Sequence, residues 1–277
     1  MTLHRDESAY LSLLELFRVD LARSSNIFIA LLFLLSSCAS QKSYDPVHAI
    51  EGLCFSAMKP AECFLVVLVD ARHLDYSNGK SLLESLAKHN DVGHAWIYLQ
   101  GVVNGKTVVV EGGHSGELGI LYPKYMAGVM DNIEARDPNP IRYLWETQRD
   151  GFFQKGAGSH RPTFAAKVDL TQPQFEAILA YIDPRHFDYS NYAITGNQCA
   201  SFVSQVAQIA GLEIACEVTI PIEKSLSIWE KTYVLWTDRR YSFLTISSPD
   251  VVEQSLINSV RAGKGEYALS WYIQTGV

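Results

Sequence analysis

Between residues 60 and 215 the apolar positions alternate between two periods, one for strands and one for helices. Phe64-Leu65-Val66-Val67-Leu68-Val69 is an unbroken apolar run of strand length, the pattern of a strand buried on both faces. From His94 to Leu99 the period is two, with His94, Trp96 and Tyr98 on one face and Ala95, Ile97 and Leu99 on the other. Val103-Asn104-Gly105-Lys106 then signals a tight hairpin, and Thr107 to Val110 return as a second strand ending at Glu111. Thr163 to Val168 alternates again. Helical spacing appears at Lys80 to His89, then after Thr171, which can cap a helix lined by Phe175, Ile178, Leu179 and Ile182 that ends at Pro184. It recurs at 202, 203, 206, 209 and 210, where Gly211 stops the helix. Residues 112–160, with clustered Gly, Pro and aromatics, read as loops carrying short elements. Residues 217–277 mix β-branched and aromatic residues with one helix near Asp250 to Val260, and are expected to complete the sheet and pack on the core. Strands and helices in this arrangement predict an α+β fold, a small antiparallel sheet packed against helices.

The chemistry concentrates at the start of the third helix, in Asn197-Gln198-Cys199-Ala200-Ser201-Phe202-Val203. With Asn197 or Thr195 as cap, Cys199 falls in the first turn, where free N–H groups and the helix dipole favour a thiolate. A thiolate so placed is a nucleophile in need of a base. His94 heads its strand, and the hairpin turns Glu111 back towards it, so Glu111 is the candidate to orient the imidazole. His114, in Glu111-Gly112-Gly113-His114-Ser115-Gly116, competes for that role from glycine-rich surroundings that suggest mobility. Gln198 and Tyr192 are further candidates as side-chain donors to an oxyanion, beside the backbone N–H of Cys199. Two imidazoles and a carboxylate, His94, His114 and Glu111, also permit a zinc hydrolase as an alternative.

A histidine at the head of a strand hairpin, a polar residue on the returning strand and, about a hundred residues later, Asn-x-Cys-x-x-Phe-Val at a helix start resemble the permuted NlpC-type papain-like proteins. That group includes bacterial cell-wall amidases and peptidases and the lecithin retinol acyltransferase relatives. The resemblance covers roughly residues 60 to 215, and Gln198 stands between Asn197 and Cys199 where the commonest pattern is Asn-Cys. It implies a circularly permuted papain-like fold, with Cys199 as nucleophile, His94 as base and Glu111 as the third polar position. The activity implied is hydrolysis of cell-wall peptide amides or acyl transfer from a lipid, without cofactor or metal. A noncatalytic binding lipoprotein is the alternative from another class.

Arg18 and Arg23 precede an apolar run from Ile27 to Leu35, and Leu35-Ser36-Ser37-Cys38 follows. The run is too short to span a bilayer and suits a signal sequence. Leu-Ser-Ser-Cys resembles the bacterial lipobox, which implies cleavage before Cys38, its lipidation, and attachment to a membrane on the periplasmic side of the cell envelope. Residues 1–37 are then a lipoprotein signal peptide, 38–60 a tether with some helical content, and 61–277 a single domain on which 217–277 packs. The formal net charge of −7 and the absence of a lysine-rich run argue against nucleic acid as a partner; the substrate that the resemblance implies is a peptide, a peptidoglycan fragment or a lipid. Cys54 and Cys63 are spaced to form a disulfide in an oxidising compartment or to remain buried thiols.

Overall fold

The computed structural model describes residues 61–89, 91–116, 121–228 and 231–275. The signal sequence, Cys38, the tether and Cys54 lie outside the described residues, and Cys63 is a buried thiol that donates to Gln172 Oε1 at 3.3 Å.

The central element is β1 (Phe64–Asp70), buried along its whole length, as its unbroken apolar run predicts. It pairs antiparallel with β2 (His94–Val103) on one side and β5 (Phe164–Asp169) on the other. β2 runs through the Asn104-Gly105 turn, where both residues take positive φ, into β3 (Lys106–Ser115). β4 (Phe152–Lys155) and the two-residue β10 (Glu266–Tyr267) close the edges, giving the order β10-β5-β1-β2-β3-β4 with all neighbours antiparallel. Residues 217–277 thus add to the sheet only through β10. Their other strands, β6 (Glu217–Pro221) and β9 (Phe243–Ser247), pair with each other instead. A separate hairpin, β7 (Ser225–Ile228) with β8 (Lys231–Val234), is pinned by a Ser227–Thr232 hydroxyl contact of 3.1 Å.

The alternation in β2 sorts its side chains into two cores. Ala95, Ile97 and Leu99 join Leu65, Val67 and Val69 on the face covered by three helices. These are α3 (Gln172–Tyr181), through Phe175 and Ile178; α4 (Cys199–Ile209), through Phe202, Val203 and Val206; and α5 (Pro249–Arg261), through Val252, Leu256 and Ile257. Trp96 and Tyr98 join Phe64, Val66 and Leu68 on the opposite face, under Tyr272 of the C-terminal α6 (Leu269–Thr275). Both faces of β1 are therefore covered, and an apolar residue is needed at each position from Phe64 to Val69.

The remaining helices are α1 (Gly79–His89) and α2 (Leu121–Glu134), followed by a 3₁₀ turn at Pro140–Trp145. Fourteen-residue α2 corrects the expectation of loops with short elements over 112–160; its own Pro123 and Gly128 hid a helix behind loop-type residues. None of the described helices is long and apolar enough to cross a membrane. Thr171 caps α3 as its sequence predicts, in a reciprocal box with Gln174. Thr171→Ala is expected to cost about 1 kcal/mol in a urea titration, with no change in the slope of the transition.

Candidate active site

Cys199 is the first residue of α4 and is 2% exposed, on the helix-covered face beside Ala95. The cap is neither Asn197 nor Thr195. Gln198 takes that position: its Oε1 accepts from the Ala200 N–H and from Cys199 Sγ, both at 3.2 Å, while its own N–H donates to Ser201 Oγ at 2.9 Å. One of its two side-chain amide N–H groups donates to the Ser247 carbonyl, so Gln198 holds the helix start in place.

Three donors face the sulfur: the backbone N–H groups of Ala95 and Ala200 and the hydroxyl of Tyr192. Tyr192 is buried, hydrogen-bonds to the Cys199 backbone N–H as well, and is clamped through its own backbone to Gln148, at 2.7 and 3.0 Å. These donors and the helix start do not make a thiolate. Burial dominates and pushes the Cys199 thiol up to about 11, helped by the charge of Asp91 and opposed by the three donors. At neutral pH the resting sulfur is an S–H, contrary to the expectation from the helix dipole alone.

His94 heads β2 as predicted, in register with Asp70 of β1, and is 4% exposed. Burial pushes its imidazole down to about 3, the next cause being the neighbouring His160, with Asp91 opposing. Its Nε2 is buried and has no hydrogen-bond partner among the described residues. The orienting role expected of Glu111 is not borne out by the geometry. Glu111 lies opposite Tyr98, four residues or about 13 Å along the strand from His94, and accepts from the Tyr272 hydroxyl at 2.5 Å. The apolar pattern places the return strand's end at Glu111, whereas β3 runs on to Ser115; the turn alone does not say how far a strand continues.

His114 belongs to that continuation and is fully buried, not mobile. Its ring meets Phe187, Tyr189, Tyr192 and Phe202 edge-on, and Nε2 lies 2.9 Å from the Tyr189 carbonyl. Burial lowers its pKa, and its Nδ1 has no partner among the described residues. His114 thus packs with Phe202 of α4, whereas His94 stacks on Trp96 of the other core at 5.8 Å and Glu111 is bound to Tyr272. The zinc set His94–Glu111–His114 is therefore not assembled.

A cluster that sequence reasoning missed adjoins His94. The ring of His160, in the loop before β5, stacks on that of His94 with centroids 4.8 Å apart and planes 26° from parallel. His160 Nδ1 is 2.9 Å from the buried Asp70 carboxylate and 3.7 Å from Asp91. Arg72 joins both carboxylates, at 2.9 and 2.7 Å, and Asp91 Oδ1 accepts from the Gly93 N–H at 3.1 Å. Asp70, Asp91 and His160 offer ligand atoms within 4.8 Å of one another, but the Arg72 guanidinium already occupies the carboxylates. The one sequence signal was Asp70 itself, an acid ending an otherwise wholly apolar strand; nothing in the spacing links it to His160, ninety residues later.

Compared with family models, with curated proteins and with solved structures, the chain finds no match.

Proposed function

We propose that this protein is a membrane-anchored thiol hydrolase with a permuted NlpC-type papain-like fold, lipidated at Cys38 on the periplasmic side of the envelope, that cleaves amide bonds in cell-wall peptides. The observation that carries this reading is the setting of Cys199: a sulfur on the first residue of a helix, met by the N–H of the residue that follows a buried histidine. A substrate carbonyl arriving beside the sulfur would take the Cys199 N–H from the Tyr192 hydroxyl, leaving that N–H and the hydroxyl as donors to the developing oxyanion. Thiol and imidazole both rest neutral, and His94 stacks on Trp96 on the sheet face opposite Cys199, so the scheme requires the His94 ring to turn towards the sulfur as substrate binds and to take the S–H proton as the S–C bond forms. The imidazolium returns it to the leaving amine as the C–N bond breaks. Neutral His94 then takes a proton from water, whose oxygen attacks the thioester, and the sulfur leaves with that proton.

The buried, neutral thiol also favours a second reading, a noncatalytic binding lipoprotein that retains the fold. Turnover of muropeptides and of a phospholipid by the wild type, by Cys199→Ala and by His94→Ala separates the two. Amide cleavage by the wild type that both substitutions lower by at least about a thousandfold is expected. Turnover that survives both substitutions, or no turnover of either substrate, overturns the proposal; release of fatty acid alone would redirect it to acyl chemistry.

Alkylation of Cys199 carries a pH prediction of its own. With the thiol held up to about 11, iodoacetamide labelling is expected to stay slow at pH 7 and to climb steeply above pH 9, read by peptide mapping.

A further inference from the structure

The sulfur of Cys199 is closed in. The N–H groups of Ala95 and Ala200, the Tyr192 hydroxyl and Gln198 Oε1 all bond to it, and the residue is 2% exposed. A carbonyl carbon must come within about 3–3.5 Å of a sulfur before a bond can form, so one of these four groups has to give way. Three of them are built into the fold. Ala95 lies in β2, between β1 and β3 of the sheet, and Ala200 lies in the first turn of α4. Gln198 caps that helix and is tied to Ser201 and Ser247. Tyr192 differs, because it comes from the loop that joins α3 to α4 and is held by another loop. The Gln148 N–H donates to the Tyr192 carbonyl at 2.7 Å and the Tyr192 N–H to the Gln148 carbonyl at 3.0 Å, an antiparallel bridge that belongs to none of the sheets. The Gly151 N–H donates to the Ser190 carbonyl at 3.2 Å. Thr147, Arg149 and Ser190 along this clamp are exposed, so water can replace its hydrogen bonds at far lower cost than it could unpair a central strand.

We propose that Tyr192 is the gate of the site: residues 146–151 and 188–194 form a lid that lifts the Tyr192 ring off the Cys199 sulfur to admit substrate, and that closes again with the hydroxyl on the substrate carbonyl. The role towards substrate rests on the reading of Cys199 as nucleophile, but the opening is measurable on the thiol alone. Closed, the lid excludes water from the sulfur, and that burial is what holds the thiol up. Open, the hydrated thiol titrates nearer its free value of about 8.5, so the reactive thiolate belongs to the open form. The two loops fit closely when shut. His114 backs the Tyr192 ring at 5.0 Å, and a Cβ built on Gly151 would lie 3.1 Å from Tyr192 Cβ and 2.2 Å from the Tyr189 carbonyl oxygen.

The test is the rate of iodoacetamide labelling of Cys199 at pH 9 in the full chain, read by peptide mapping across a series of low urea concentrations, in the wild type, Tyr192→Ala and Gln148→Pro. Local opening exposes little surface, so the wild-type rate should be nearly flat up to about 1 M urea. Tyr192→Ala removes the ring over the sulfur, and Gln148→Pro removes the N–H that holds the Tyr192 carbonyl. Each should raise the rate about tenfold or more, with circular dichroism and the urea midpoint reporting that the variant is folded. A wild-type rate that climbs with urea in step with global unfolding overturns the proposal, and that arm needs no variant. A rate unchanged in both folded variants overturns it as well. If labelling behaves as expected while Cys199→Ala retains full turnover, the hydrolase reading fails and the gate stands. If Cys199→Ala abolishes turnover but labelling follows global unfolding, the gate fails and the hydrolase stands.

Discussion

Lowering the pH from 7 to 4.5 is expected to remove about 3 kcal/mol of the protein's stability through His94 alone. The imidazole is held down to about 3 by burial in the native state, whereas in the unfolded chain it titrates near 6.5. Between those values the unfolded state binds a proton that the native state refuses. Stability therefore falls as the pH falls through this window, by about 1.4 kcal/mol per unit and about 5 kcal/mol over the whole of it. His114, also lowered by burial, adds in the same sense. His73 works the other way. Its pKa is raised by the buried Glu253 beside it at 2.6 Å, so its contribution is complete below the unfolded value and is lost as pH rises through its higher folded one. That pair is partly solvated and offsets only a fraction of the loss. Set against a typical domain stability of roughly 5–15 kcal/mol, the His94 contribution is a third or more of the whole by pH 3. Urea titrations at pH 7 and 4.5, in the wild type and in His94→Gln, read it directly. The wild type should lose the stability and the variant should lose markedly less, and equal losses in the two would refute the assignment.

The same residue shows what the sequence made legible. Position 94 was readable because a strand alternates: with Ala95, Ile97 and Leu99 on the helix-covered face, His94 and Trp96 had to share the other. Cys199 at a helix start was readable from the 3.6-residue spacing that follows it. Two things were not. Whether a sulfur at a helix start is charged depends on how much water reaches it, and burial is a property of the whole fold that no local spacing reports. The partner of His94 was equally hidden, because His160 lies in the loop before β5 and is brought beside it by the pairing of β1 with β5, where the Thr163 N–H donates to the Val69 carbonyl at 2.7 Å. Glu111 was misplaced by an error of strand length rather than of strand identity. Its register follows directly from the Asn104-Gly105 turn, and that register puts it opposite Tyr98.

Gly93→Ala is expected to cost about 3–5 kcal/mol of stability. Gly93 has φ of +82°, and a Cβ built on it would lie 2.2 Å from the Asp70 carbonyl oxygen, a backbone atom that β1 holds in the centre of the sheet. Two costs therefore add. The left-handed conformation costs about 1–2 kcal/mol for a residue with a Cβ. The clash is then relieved only by moving β1 or β2, and the side chains of Asp70 and His94 move with them. Gly105→Ala separates the two costs, because Gly105 has φ of +72° but a Cβ added there would meet nothing within 4 Å. It should lose about 1 kcal/mol and leave the site intact. If chemical denaturation gives the two variants equal losses, the close approach at Gly93 is not what holds β1 and β2 in place. If Gly93→Ala loses several times more, and in addition alters the ring shifts of His94 and His160, then the tight turn before β2 sets the stacking of the two histidines. The conformation of one glycine would then govern both the stability of the sheet and the stacking of His94 on His160.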